Sequence, residues 1–400
     1  MFRAAGAEFL QRHAHVLRGE QRRAIKDLAA CRTAALGGHE EACDACGHRR
    51  FAYNSCRNRH CPKCQASARA RWLEARSAEL IDVPYFHVVF TLPAEFGPLA
   101  LHNPRMIYGL LFRAASETLL QIAADRKHLG AEIGFLAVLH TWGQNLLHHP
   151  HLHCVVPSGG LSPNGQGWIA GRDDFFLPVQ VLSRVFRGKF IALVKRACER
   201  GQLVFPGRLR PLEDRNCFEQ LLDQAVRQDW VVYAKPPFGG APQVLKYLAR
   251  YTHRVAIANS RIATFDGQRV SFRWKDYADD NQHKTMTLAA DEFIRRFLMH
   301  VLPRGFTRIR YYGFLANRHR AQKLAIIRGT LGASLTDAAA QSPPEAEARA
   351  DGEPAGEVCP VCNSGRIHKV AILIPVAPPP LSWLLPAAHR HGPRIGWDTS

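Results

Sequence analysis

The sequence has no run of eighteen apolar residues, so no segment of it is expected to cross a bilayer as a helix. The stretch from Met1 to Arg23 alternates apolar with charged side chains and lacks the apolar core of a secretory leader. A cytoplasmic, nucleoid-associated location without a membrane partner is therefore expected. Acid is also scarce, 34 Asp and Glu against 53 Lys and Arg, a net charge of +19 that points to a polyanionic partner such as nucleic acid. The deficit is local as well. From 47 to 76 Glu74 is the only acid, and from 301 to 330 there are seven cations and none. Large apolar side chains are nearly missing from Thr336 to Glu357, so residues 331–358 read as a disordered linker.

Four hundred residues exceed what one core needs. The expected division is an N-terminal domain over 1–82, a larger domain over 83–330, the linker, and a Pro-rich tail over 359–400. Within 83–330 the pattern predicts strands at Val83–Leu92 and Ile133–His140 and a helix over Pro104–Ala124. Helical periodicity returns at Asp174–Cys198 and Phe218–Gln228, and an Asp266-Gly267 turn joins two further strands. The fold class this implies is α+β, an antiparallel sheet with helices on one side.

Five of the eleven cysteines fall between Cys43 and Cys64. Two CxxC pairs fourteen residues apart can close a tetrahedral thiolate shell, so Cys43, Cys46, Cys61 and Cys64 are the expected ligands of a structural Zn²⁺, with Cys56 and His60 surplus. Cys359-Pro-Val-Cys362 offers half a site, with His368 as a further donor, and is not expected to hold a metal by itself. Around the first pairs Arg49, Arg50, Arg57, Arg59 and Lys63 are interleaved with Phe51, Tyr53 and Trp72, cations for phosphates and flat rings for bases. Arg308 and Arg310, with Phe306, Tyr311 and Tyr312 nearby, form a second such stretch.

The densest chemistry lies in His148-His149-Pro150-His151-Leu152-His153-Cys154. Histidines at alternate positions of a strand project from one face, and neutral imidazoles there can hold a divalent metal. Later, Tyr247 and Tyr251 lie four apart on an expected helix, with Arg250 and Arg254 repeating that spacing on a neighbouring face. By itself such a pair reads as ordinary packing, because a phenol with a pKa near 10 attacks only with help. Taken with the histidines, the zinc pairs and the charge, it reads as an enzyme that cuts DNA through a tyrosine.

At this point the chain resembles the HUH-superfamily rolling-circle transposases of insertion sequences that carry an N-terminal zinc-binding domain and two tyrosines. The resemblance spans about Cys43 to Arg320. It rests on Cys56-Arg-Asn-Arg-His-Cys-Pro-Lys-Cys-Gln65, His149-Pro-His-Leu-His153, Tyr247-Leu-Ala-Arg-Tyr251 and Arg308-Ile-Arg-Tyr-Tyr-Gly-Phe314, in the family's order. It implies His151 and His153 as ligands of a catalytic Mg²⁺ or Mn²⁺ and Tyr247 and Tyr251 as nucleophiles. The substrate it implies is single-stranded DNA, the element ends and the target, nicked and rejoined through a 5′-phosphotyrosine link. The third metal ligand is open among Gln243, Gln144 and His149, and Arg57, Arg59, Arg250, Arg254, Arg308 and Arg310 are the expected DNA contacts. Two other readings stand beside it. A histidine-triad nucleotide hydrolase or transferase fits the histidine spacing but leaves the cysteines and the charge idle; a non-catalytic zinc-dependent DNA-binding protein leaves the histidines idle.

Overall fold

A computed structural model describes residues 1–172, 176–238, 243–244, 256–277, 279–332 and 357–376. Tyr247, Tyr251, Arg250, Arg254 and nearly all of the expected linker lie outside the described residues.

In chain order the first elements are α1 (Phe2–His13), α2 (Gly19–Ala30), β1 (Gly38–Cys43), β2 (Arg49–Tyr53), α3 (Pro62–Ser77), β3 (Tyr85–Thr91), α4 (Gly97–His102) and α5 (Pro104–Ala124). A hairpin of β4 (Gly134–Trp142) and β5 (His148–Pro157) follows, then β6 (Gly159–Leu161), β7 (Trp168–Ala170), α6 (Val179–Glu199), α7 (Arg215–Val226) and β8 (Val232–Phe238). The remaining elements are β9 (Ile262–Phe265), β10 (Arg269–Asp276), β11 (Gln282–Ala289), α8 (Ala290–Met299), β12 (Ile309–Gly313), α9 (Arg320–Thr330) and β13 (Ile367–Leu373). No helix among the described residues is long and apolar enough to cross a membrane.

One compact unit holds the described residues of Ala68–Ala256 and Leu302–Gln341. Its frame is a five-stranded antiparallel sheet in the order β12-β4-β5-β3-β8, which makes the architecture α+β. The pleat sorts the side chains between two faces. Phe86, Val88 and Phe90 of β3, Leu139 of β4, and Leu152 and Cys154 of β5 enter one apolar core with α5, α6 and α7. These helices present matching stripes, Ile107, Leu111, Phe112, Ala115, Leu119 and Ile122 on α5 and Leu182, Phe186, Phe190, Leu193 and Ala197 on α6. Trp230 wedges edge-on between Phe96, Phe186 and Phe190 at 5.3–5.8 Å. Asn103 precedes a proline at the start of α5, and Asp214 caps α7 by accepting from the amides of Asn216 and Cys217. On the other sheet face Tyr85, Leu136, Val138 and Val155 form a second core with Ile81, Val244, Phe314, Leu324 and Ile327. That core closes only part of the face. The histidines occupy the rest.

The other unit contains Met1–Ser67, Ile257–Val301 and the described segment 357–376. This corrects the consecutive division expected from sequence, since residues 257–301 belong with the N-terminal region. The reason is apolar. Helix α8 buries Phe293, Ile294, Phe297 and Leu298, and Phe297 meets Phe2 of α1 edge-on at 5.1 Å. The Gln21 side chain donates to the Leu298 carbonyl at 2.9 Å, and Arg12 pairs with Asp291. A three-stranded sheet, β11-β10-β9, lies behind α8 through contacts such as Phe272 on Phe293. A separate sheet, β13-β1-β2, joins the C-terminal segment to the N-terminal one.

Candidate metal centres and nucleic-acid surface

Strand β5 is flanked on both sides, so its histidines sit mid-sheet. His151 stands opposite His140 on β4 and Thr91 on β3; His153 stands opposite Val138 and Val89. The ring nitrogens of His140, His151 and His153 lie within 4.8 Å of one another. Nε2 of His151 is 3.0 Å from Nε2 of His153. A metal–imidazole bond of about 2.0–2.1 Å puts neighbouring ligand nitrogens roughly 3.0–3.4 Å apart in octahedral or tetrahedral geometry, so this spacing fits a shared divalent ion.

Burial and hydrogen bonds prepare the nitrogens for that role. Nδ1–H of His151 donates to the His149 carbonyl at 2.7 Å, which leaves Nε2 as a bare lone pair. Nδ1 of His153 is 2.8 Å from Nε2 of His87, a buried partner two residues down β3 from Val89, and the two rings stack at 5.0 Å. Burial first, then the neighbouring His149, pushes His151 down to about 4, and burial with the facing imidazoles holds His153 well below its ordinary value. His87 falls to about 3 for the same first reason, aided by Lys235 and His151. All are neutral at physiological pH, as ligands must be. His140 stacks on Trp142 at 4.4 Å, which fixes its ring.

Among the histidines, cysteines and acids of the described residues, the one that joins His151 and His153 is His140, which the sequence did not single out. His149 is exposed and contributes its carbonyl, not its ring; Gln243 is exposed, and Gln144 lies in the β4–β5 turn. His140 ends the stretch expected as a strand, but only the β4–β5 register reveals that it faces His151.

The cysteines group differently from the spacing-based expectation. Cys61 and Cys64 join Cys31 and Cys56, with Sγ–Sγ distances of 3.5 Å for Cys61–Cys31 and 3.6 Å for both Cys31–Cys64 and Cys56–Cys64. Cys43 and Cys46 instead join Cys359 and Cys362. A tetrahedral Zn–S shell of about 2.3 Å bonds has edges near 3.8 Å, whereas a disulfide would place the sulfurs at about 2.0 Å. The first set matches a zinc shell. Its ligands come from the C-cap of α2, the loop before α3 and the first turn of α3, where the Cys64 amide donates to the Cys61 carbonyl. His60 is buried on Asn58 and His368 lies against Asp44, so neither ring enters a thiolate group.

Among the expected DNA contacts, Arg57 is exposed, in the left-handed conformation at φ 52°. Arg59 is partly buried, and burial lowers its pKa. Arg310 lies 4.1 Å over Phe112 and 5.3 Å over Phe306, on the helix side of the sheet and away from the histidines. Arg308 shares its alternation, and its carbonyl accepts from the Leu139 amide. Tyr311, on the histidine side, carries Arg76 and Arg320 at 5.5 and 5.4 Å from its ring, both paired with Glu79.

Residues 134–323 match a family described as "Putative transposase", and residues 1–92 match one described as "Transposase zinc-binding domain". The chain is 55% identical over 387 residues to a protein of Sinorhizobium fredii named "Putative transposase y4qJ", covering 96% of this chain and 97% of that one. It is 29% identical over 306 residues to the "Transposase for insertion sequence element IS801" of Pseudomonas savastanoi pv. phaseolicola, covering 75% of this chain and 71% of the other. No solved structure matches it significantly.

Proposed function

The chain belongs to this transposase family, and from that premise we propose that it nicks and rejoins single-stranded DNA in rolling-circle-type transposition, with Tyr247 and Tyr251 as nucleophiles. The observation that carries the reading is the convergence of His140, His151 and His153 on the sheet face that also carries the apolar cluster containing Val244. Tyr247 follows Val244 by three residues in the sequence. A phenol brought to an imidazole-lined metal site would have the help it otherwise lacks.

The chemistry is a phosphoryl exchange. The Tyr Oη attacks the scissile phosphorus, the new O–P bond forms as the bond to the 3′ oxygen breaks, and that oxygen leaves as a hydroxyl after taking a proton. The 5′-phosphotyrosine keeps the bond energy, so attack by a 3′-hydroxyl in the reverse sense rejoins DNA without a nucleotide cofactor. His140, His151 and His153 would hold Mg²⁺ or Mn²⁺, which supplies Lewis-acid polarisation of the phosphate. His149 and His87 orient two of those rings through hydrogen bonds. Arg57 and Arg59 of the zinc-binding region, with Arg250, Arg254 and Arg308, would hold the phosphate backbone. Tyrosine pairs permit two cleavages per cycle, one on the donor and one on the target strand.

The test is an end-labelled single-stranded oligonucleotide bearing an element end, incubated with protein and Mn²⁺ or Mg²⁺. A covalent adduct is expected, mapped by mass spectrometry to Tyr247 or Tyr251 and absent from the Tyr247→Phe/Tyr251→Phe double variant. An adduct of undiminished yield in the double variant, or one carried by a histidine, overturns the assignment.

A further inference from the structure

We propose that Cys43, Cys46, Cys359 and Cys362 form a second structural zinc site, distinct from the shell of Cys31, Cys56, Cys61 and Cys64, which fastens the C-terminal segment onto the N-terminal domain. Zinc-binding domain similarity covers residues 1–92 and so includes only half of these ligands. The geometry supplies the rest. Cys43 Sγ is 3.7 Å from Cys362 Sγ and Cys46 Sγ is 3.8 Å from Cys359 Sγ, pairs 319 and 313 residues apart in sequence, and both distances match the edge of a tetrahedral thiolate shell.

Both halves are built as zinc knuckles. After Cys43 the chain turns at Gly47, whose amide donates to the Cys43 carbonyl. After Cys359 the amide of Val361 approaches the Cys359 sulfur at 3.5 Å, and that of Gly365 approaches the Cys362 sulfur at 3.3 Å. Amides aimed at sulfur stabilise thiolate, the ligating form. The knuckles also lock to each other. Asp44 accepts from the Arg366 amide at 2.8 Å, its own amide donates to the Arg366 carbonyl at 3.1 Å, and β13 continues antiparallel along β1 with Ile367 opposite Cys43. A Cβ on Gly365 would stand 2.5 Å from Cys43 Sγ, so the halves meet too closely for any other residue there.

The apolar side of the ledger leaves the work to a metal. Among the described residues, the core between the two halves holds Cys43, Cys359 and Ile367, with Cys362 partly buried beside it. Val370 and Ile372 of β13 are 52% and 87% exposed. A segment with so small a core does not dock by burial, whereas a four-thiolate ion supplies folding free energy outright.

The wild-type chain, full length and zinc-loaded, tests this without a variant. A pulse of alkylating reagent followed by peptide mapping should modify Cys46 and Cys362 at least tenfold more slowly than Cys217, although Cys46 is exposed, and a chelator should abolish that protection. Alkylation of Cys46 and Cys362 as fast as Cys217 before chelation overturns the proposal. Zinc content gives a second readout. Cys359→Ser/Cys362→Ser should lower it by one ion per chain and Cys61→Ser/Cys64→Ser by another; an unchanged content in the former variant overturns the site.

Discussion

His140 and His151 face each other across the hydrogen-bonded ladder of β4 and β5, their rings edge to face at 5.4 Å. This register converts a two-histidine motif into a three-histidine site, because one residue of slip would turn His140 to the helix side of the sheet. On the proposed reading, removing His140 removes a ligand. His140→Ala is expected to weaken Mn²⁺ binding, read by paramagnetic resonance titration, by more than the roughly 10–100-fold typical of losing an outer-shell partner. His87→Ala, which removes the hydrogen bond and the stacking on His153 but no ring of the histidine group, is expected to fall within that range. Equal affinity in His140→Ala and the parent would show that the third donor is another residue.

Arg310 and Arg57 separate packing from phosphate binding. The Arg310 guanidinium covers Phe112 and Phe306, and its Nε donates to the Thr307 carbonyl at 3.3 Å. Arg310→Ala should cost on the order of 1 kcal/mol of stability in a urea melt through lost cation–π and stem packing. Its salt dependence of DNA binding should stay unchanged. Arg57→Ala should do the opposite, leaving stability within about 0.5 kcal/mol while reducing the slope of log affinity against log salt by nearly one. A reduced slope in Arg310→Ala would mean that its guanidinium leaves the rings to meet a phosphate.

How far the sequence disclosed this arrangement follows from the range of each signal. Periodicity acts within one element, and it located β3, α5 and α7 to within a few residues. The His151 and His153 pair was visible because both side chains share one strand. His140 was not, since register between strands depends on tertiary pairing. The cysteine spacing pointed to metal chemistry but paired the cysteines differently from the groups the structure brings together. Cys31 looks like a lone buried thiol at the end of α2, and Cys359 lies more than 300 residues from Cys46. Nothing in the pattern of α8 names α1 as the surface it covers.

Glu292, in the first turn of α8, offers a pH test away from every metal ligand. Burial pushes its carboxyl up, but hydrogen bonds from Arg295 at 2.7 and 2.9 Å and from Arg296 at 2.6 Å outweigh burial and hold it below its ordinary value. A carboxylate with a depressed folded-state pKa stabilises above its unfolded value, and this stabilisation disappears as pH falls through the folded value. Glu292→Gln should thus lower stability by on the order of 1–2 kcal/mol at pH 7. The melting curves of the two proteins should converge in acid. A gap that persists undiminished there would assign the loss to packing.

Two glycines should respond to the same substitution with opposite signs. Gly313 ends β12 at φ +58°, and a Cβ there would collide with the Ile133 carbonyl on the neighbouring strand. Both the left-handed backbone and the collision oppose a side chain, so Gly313→Ala should lose at least about 2 kcal/mol in urea unfolding. Gly188 sits in the middle of α6 with open space where a Cβ would project. There the native conformation already suits alanine, and the main effect is to remove backbone freedom from the unfolded chain. Gly188→Ala should gain about 0.5–1 kcal/mol. The contrast tests the edge of the histidine-bearing sheet specifically, because β12 can adopt its register on β4 only if the chain turns at Gly313 without meeting Ile133. A neutral Gly313→Ala would mean that β12 is free to shift, and that the sheet keeps its histidine face without it.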